Sequence, residues 1–277
     1  MGNDVIFPVM KNYLMKGNTV MKKRIGTITA ALLAIICIFS GCGVVKGVGG
    51  GISTIAYDYE EKYTIGNGAV DASKIKNIEL NWISGKIKVQ TADVNEIKIE
   101  EEAKDIKEDY KLRYLVIDDT LFIQFARSGQ WNFSGVKKEI TLTLPKDFSL
   151  NKLSLNVVSA TCDIKGVNID SFDSDSVSGT ISLEGDKFNT INVNTVSGSV
   201  DVTGKIEKSF DSSAVSADVT LHIPEGDGFV ANFDTTSGSF NSDYEYTGEK
   251  RIFKSGNQKL EISCNSVSGR LRIRKAK

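Results

Sequence analysis

One histidine, three prolines and 8% aromatic residues in a chain of 277 leave little of the equipment that many functions require. Cations are not in excess, since the formal net charge is −1. Lys11, Lys16, Lys22, Lys23 and Arg24 face only Asp4 before Cys42, and removing them from the totals of 34 and 35 leaves 29 basic against 34 acidic residues. A mildly acidic body does not fit DNA or RNA, which bind through concentrated Lys and Arg. Scarce aromatics argue against sugar stacking as a source of affinity. The longest apolar run, Ile25 to Phe39, falls short of the roughly 20 residues that a spanning helix needs.

That run has another use. A basic start, the apolar stretch and then small residues over MKKRIGTITAALLAIICIFSGCG make a secretory signal peptide at residues 21–41. Phe39-Ser40-Gly41-Cys42 resembles a bacterial lipobox, so Cys42 is the expected lipid attachment residue, with plain secretion or an uncleaved anchor as the alternatives. Residues 1–20 carry no signal character and read as an extension that is not native, with Met21 as the start. The glycine-rich segment that follows, residues 42–56, reads as a flexible tether.

What the chain has in plenty is Gly, Ser, Thr, Val, Ile, Asn and Asp, the vocabulary of strands and turns, and it repeats itself. SDSVSGTISL at residues 174–183 returns as VNTVSGSVDV at residues 193–202. With the first residue of each V-S-G phrase set as zero, zeros fall at Ile83, Val158, Val177, Val196, Val215, Thr236 and Val267. From Val158 the intervals are 19, 19, 19, 21 and 31, and a period near twenty residues signals stacked repeats. One after zero is always Ser (84, 159, 178, 197, 216, 237, 268), and two after is always Gly or Ala. Four and six after are apolar, as are five and three before, with few exceptions. Side chains alternate with period two along a strand, so the parity change demands a bend. Two before zero stands Asn81, Asn156, Asp175, Asn194, Ser213, Asp234 or Asn265, and such residues suit a corner.

Each unit then reads as strand, Asx corner, strand and return. The predicted fold is all-β: a β-solenoid, a right-handed parallel β-helix of roughly 19-residue coils over residues 151–277, preceded by a β-rich N-terminal cap over residues 57–150 that contains the first repeat. Asp118-Asp119 is expected to turn an antiparallel hairpin within the cap, and Pro145 to end a strand. The Gly/Ala column reads as an inward position where the interior is narrow, because Ala160 and Ala217 do not suit a left-handed backbone. Cys162 and Cys264 fall five stacking steps apart, on the order of 24 Å from the strand spacing, far beyond the roughly 7 Å that a disulfide spans. Both are expected to be buried free thiols. Arg270, Arg272, Arg274 and Lys275 put alternate charge on the last strand, as an exposed edge does.

The seven S-G/A phrases, the strand ending in LP before them and the anchored N-terminus resemble the bacterial "putative adhesin" family of unknown function, related to the head domain of putative autotransporter adhesins. The resemblance covers about residues 75 to 275 and implies an extracytoplasmic β-helix with no catalytic residues to carry over. Some members look like accessories of envelope stress.

The residues offer little chemistry of their own. His222 is seven after zero, where other coils have Glu184 and Thr203, and reads as a solvated turn residue. The serines recur equally, as a structural ladder does, whereas a nucleophile needs its own base. Asp173, Asp175, Asp211 and Asp234 lie near stacked corners, but their spacing fits neither of the common calcium repeats. One, three and five after zero form a flat Ser/Thr-rich wall that could meet a protein or a cell-wall polymer. The long loop from Asn241 to Lys259 reads as a hairpin or a lid. No catalytic, cofactor or metal site is expected. The expected function is that of a non-enzymatic, lipid-anchored, extracytoplasmic adhesin or envelope scaffold, bound to the membrane through its lipid and not to nucleic acid. An accessory of an envelope stress response is the second reading, and a carbohydrate-active enzyme the third.

Overall fold

The computed structural model describes residues 57–276, apart from 131 and 250. The expected extension, signal peptide and tether, with Cys42, lie outside the described residues. Helical turns among the described residues are limited to the short 3-10 pieces Glu60–Lys62, Ala72–Lys74 and Glu108–Tyr110. The rest is strand and connection: β1 (Thr64–Ile65), β2 (Gly68–Asp71), β3 (Asn77–Ala92), β4 (Glu96–Glu102), β5 (Arg113–Ile117), β6 (Thr120–Gln124), β7 (Lys138–Pro145), β8 (Ser149–Lys165), β9 (Asn168–Ile223), β10 (Phe229–Ser242), β11 (Thr247–Glu249), β12 (Ile252–Ser255) and β13 (Leu260–Lys275). They make one open sheet.

Its body is solenoid-like. β3, β8, β9, β13 and β10 stack in parallel, like residue over like: Ser84 on Ser159, Ser159 on Ser178, Ser216 on Ser268, and Ser268 on Ser237. The unbroken β9 winds over itself through three phrases. Asn194 Nδ2 donates to Asp175 Oδ1 at 2.9 Å, and Ser176 Oγ to Thr195 Oγ1 at 2.8 Å, each pair nineteen residues apart.

The interior is built from the repeating columns. Ile78, Leu153, Phe172, Ile191, Phe210 and Ile262 form one buried row, and Ile87, Cys162, Ile181, Val200, Val219 and Leu271 another. Each apolar side chain so buried favours folding by roughly 1.5–3 kcal/mol before ordering entropy. The column one before zero also points inward, with Trp82, Val157, Ser176, Thr195 and Ala214 all buried.

That extra inward column moves the bend. One before zero and four after zero both face the core, five residues apart, so the parity changes at the Ser-Gly step and not at the Asx residue. Gly198 has φ +134°, and a Cβ on it would stand 2.0 Å from the Gly179 carbonyl oxygen. Gly85 has φ +102°, with a Cβ 2.1 Å from the Lys138 carbonyl oxygen. These glycines are there for left-handed backbone and close approach, which corrects the narrow-interior reading. That reading survives at Ala160 and Ala217, which are buried and keep negative φ. The Asx residues stay extended and point outward.

The last two coils exchange places. β13 pairs with β9 on one side and β10 on the other, so the coil of Val267 lies between those of Val215 and Thr236. The chain leaves β9, builds the outermost strand first, turns back through the β11–β12 hairpin, and then threads β13 into the interior place. Composition explains the choice. β13 offers Leu260, Ile262, Cys264, Leu271 and Ile273 to the core, whereas β10 has Ala231 and Ser242 at matching positions. The basic residues of β13 therefore lie inside the sheet and not on its edge. Cys162 and Cys264 are four steps apart, on the order of 19 Å, and both are buried free thiols.

β3 is flanked differently in its two halves. Residues 77–81 pair with β6 and residues 85–92 with β7, while β8 runs along the other side. β5 and β6 are an antiparallel hairpin closed at Asp118-Asp119, with Ile117 opposite Thr120. At the far end β12 pairs antiparallel with residues 229–232 of β10. Phe253 there stacks on Phe240 at 3.9 Å between ring centroids. Tyr244 donates to the carbonyls of Ile223 and Pro224 at 2.8 and 3.0 Å. The long loop is thus a hairpin that covers part of the last coil.

Candidate functional site

The outward side chains of the strand before the bend come from the columns four and two before zero. Coil by coil these are Asp173 and Asp175, Asn192 and Asn194, Asp211 and Ser213, then Ser263 and Asn265. Stacking brings them onto one open groove of about 400 Å³. Its floor is ordered by rungs: Asn192 Nδ2 donates to Asp173 Oδ1 at 2.8 Å, and Asn194 to Asp175. The rungs continue below the groove, where Asn156 Nδ2 donates to Asn81 Oδ1 at 2.8 Å. Lys152 Nζ lies 2.6 Å from Asp173 Oδ2. The result is a concave strip of carboxylates, amides and hydroxyls, suited to hydroxyl or ammonium groups repeated along a chain.

Asp173, Asp175 and Asp211 therefore come together, while Asp234 does not, since it lies on the outermost strand and holds Arg251 Nη1 at 2.8 Å. Among the described residues no group of three or more His, Cys, Asp or Glu is arranged to hold a metal ion.

The wall beyond the bend is less uniform than its sequence. Ser199 Oγ donates to Thr180 Oγ1 at 3.2 Å, but the inserted β13 places Arg270 and Arg272 on the same wall. Arg270 grips Asp218 with Nε at 3.0 Å and Nη2 at 2.7 Å, and Arg272 reaches it at 3.5 Å. Hydrogen bonding to Arg270 holds the Asp218 carboxyl below the usual carboxylate range, with burial opposing. Because the folded value is the lower one, the contribution is present at neutral pH and lost as pH falls through it. Asp218→Asn should lower the urea midpoint of the whole chain at pH 7 and leave it unchanged in acid below the folded value. His222 is a half-buried strand residue and not a turn residue: it lies opposite Arg274, with Nε2 3.5 Å from Asp201 Oδ2. Among the described residues its imidazole makes no hydrogen bond to a seryl hydroxyl.

With this repeat geometry in view, the family assignment follows. The family model described as Toastrack DUF4097 matches residues 75–209 and again 175–274. The chain belongs to the Toastrack family. The first match runs from β3 through the cap strands into β9, and the second from β9 into β13. No curated protein matches the chain. Among solved structures it is similar to a "putative cell adhesion protein" from Clostridium sporogenes, at 15% identity over 77% of this chain and 100% of that one, TM-score 0.44. A "putative adhesin" from Bacteroides fragilis gives 11% identity over 76% and 97%, TM-score 0.27. A "putative lipid binding protein" from Parabacteroides distasonis gives 12% over 74% and 95%, TM-score 0.31.

The Toastrack chain also holds a buried charge that sequence reasoning passed over. The Lys138 side chain is fully buried, with Nζ 2.5 Å from Glu101 Oε1. It donates to the Tyr110 carbonyl at 2.5 Å and to that of Phe125, and lies over the rings of Phe125 and Trp82 at 4.2 and 4.9 Å. Burial pushes its ammonium down to about 8, against the pull of Glu101. Alternation gave the signal. In KEITLTLP the inward positions are Lys138, Ile140, Leu142 and Leu144, and in EIKIEEE they are Ile97, Ile99 and Glu101. Each strand has one charged residue on its apolar face.

Burial raises both cysteine thiols, Cys162 to about 12 and Cys264 further. Neither is a nucleophile near neutral pH, since the thiolate is the reactive form. Among the described residues no helix is long and apolar enough to cross a membrane.

Proposed function

We propose that this Toastrack protein is a non-enzymatic binding module of the bacterial cell surface, held to the membrane by lipid on Cys42. In this reading it contacts a cell-wall polymer through the Asx-lined groove and the polar wall beside it. The right-handed winding of 19-residue coils, and residues 57–150 as their cap, belong to the same reading. One observation carries it: Asp173, Asp175, Asn192, Asn194 and Asp211 converge on an open groove, and their rungs need no ligand to hold their shape. A groove ordered in advance loses little side-chain freedom on binding. Aromatic platforms are missing from it, so affinity rests on hydrogen bonds, those to carboxylates being the stronger.

Co-sedimentation of the full chain with isolated bacterial cell walls tests this. Replacing Asp175 and Asp211 by Ala together should weaken retention about tenfold or more, since a hydrogen bond to a charged group contributes roughly 1.5–3 kcal/mol. The fold should persist with a modestly lower melting temperature, because Asp211 is exposed while half-buried Asp175 gives up the hydrogen bond it accepts from Asn194, and Asp211→Ala alone should leave the melting temperature unchanged. Equal retention of the variant and the parent chain would refute the groove as the contact surface.

A further inference from the structure

The face of the cap turned away from the core is apolar at one corner. In β5, Tyr114 and Val116 pack against the core, so Arg113, Leu115 and Ile117 point the other way. Leu115 stands opposite Phe122 of β6, and Ile65 of β1 opposite Arg113. Ile65 is 44% and Ile117 39% exposed, while Leu115 and Phe122 are half-buried. Beyond Phe122 the same column turns polar: Glu79 lies opposite Phe122, Ser154 opposite Glu79 and Asp173 opposite Ser154. The groove thus begins three strand spacings from the patch, on the order of 14 Å.

We propose that Ile65, Leu115, Ile117 and Phe122 settle into the surface of the lipid bilayer, with the coils standing away from it. The inference rests on the membrane attachment proposed above. The place where the chain enters this corner selects a lipid surface as the occupant. Tyr57, the first described residue, donates from its hydroxyl to the Ala126 carbonyl at 3.0 Å, and its ring lies 4.7 Å from that of Tyr63, two residues before Ile65. Tyr57 follows Cys42 by fifteen residues, and a glycine-rich chain of that length spans about 20 Å. β1 and β5 begin the stack and β12 and β11 end it, on the order of 45 Å away. Attachment at Cys42 therefore keeps this corner, and not the far end, beside the bilayer. A patch held there needs little apolar area to settle, because attachment already supplies a high local concentration of lipid. Tyr59, on the segment between Tyr57 and β1, is 56% exposed, and its ring with a polar tip suits a membrane interface. Asp118 follows Ile117 at the hairpin tip, so the contact does not depend on anionic lipid.

The full chain, produced in a bacterial host and reconstituted in phosphatidylcholine vesicles, tests this. A polarity-sensitive dye on Ile117→Cys should be quenched by spin-labelled lipid. The same dye on Ile252→Cys, an exposed apolar position at the other end of the stack, should not be. Cys162 and Cys264 are buried and escape the label. Adding Ile65→Asp to the Ile117→Cys chain removes an aliphatic group and puts a charge in its place, and should lower the quenched fraction about tenfold or more. Ile65→Phe should preserve the quenching, which also confirms that the substituted corner still folds. Co-flotation with the vesicles reads the attachment separately. A chain that floats, but with no more quenching at position 117 than at 252, or with quenching indifferent to Ile65→Asp, would overturn the inference and leave the attachment standing. A dye at position 117 shielded from water yet unquenched by lipid would overturn it too, because protein and not lipid would then cover the patch. A chain that does not float would refute the attachment, and this inference with it.

Discussion

Lys138→Met should destabilise the whole chain by about 3–5 kcal/mol, the cost typical of leaving a buried ion without its partner. The Glu101 carboxylate accepts the Leu112 N–H at 3.0 and 3.1 Å, but its countercharge is Lys138, and its side chain is only 5% exposed. Combining Lys138→Met with Glu101→Gln should recover most of the loss, because the amide can still accept from Leu112 and methionine can fill the space between the rings of Trp82 and Phe125. The pH dependence follows from the lowered ammonium. Between about 8, the folded value, and about 10.4, the ordinary one, the unfolded chain binds more protons at this site, so stability rises with pH. The difference between parent and Lys138→Met unfolding free energies should therefore grow over that window. Chemical denaturation at a series of pH values checks both statements. Equal stability of the single and double variants would show that Glu101 does not depend on Lys138.

The columns were legible in the sequence because stacked coils impose one environment on each position. The Ser column, the Ile78 row and the Ile87 row needed only a period and a parity. The order of the last coils was not legible in that way. Intervals of 21 and 31 after four regular phrases announce extra chain, but do not say whether it lies outside the stack or threads back into it. The decisive property, a β13 core face without a gap against a β10 face with Ala231 and Ser242, appears only when the two strands compete for one interior place. The basic residues of β13 are instructive for the same reason. Alternating arginines suit an exposed edge, and they equally suit an interior coil whose neighbour offers Asp218.

The groove was half visible. Asp173, Asp175 and Asp211 stand out in the sequence as acids near corners, yet the Asx column suits the bend itself equally well. Asn and Asp fit both a left-handed corner and an outward hydrogen-bonded rung, and composition does not separate the two. Parity does: a buried column one before zero, with Trp82, Val157 and Ala214, forces the residue beside it outward. The same alternation marks Lys138 and Glu101 as inward charges on two separate strands. It does not reveal that they meet, since their pairing depends on β4 running antiparallel to β7, with Glu101 opposite Ile140.

Phe210→Ala should cost about 3–5 kcal/mol, at the upper end of the range for core truncations. The ring is fully buried and lies in the row that also holds Phe172, Ile191 and Ile262, with Ile262 directly opposite it. The cost of a cavity depends on how far its walls can collapse. Here the walls are backbone-paired strands at about 4.7–4.9 Å spacing, and closing the space would break ladder hydrogen bonds in adjacent coils. Phe210→Leu keeps most of the volume and should cost less than about 1.5 kcal/mol. The same column at the end of the stack already holds Ala231, where the β11–β12 hairpin and not another coil closes the core, so the row tolerates a small side chain only at its terminus. Urea unfolding of the two Phe210 variants against the parent chain measures the difference. Similar losses for Ala and Leu would mean that the coils relax around a missing ring, and that the stack is softer than its register implies.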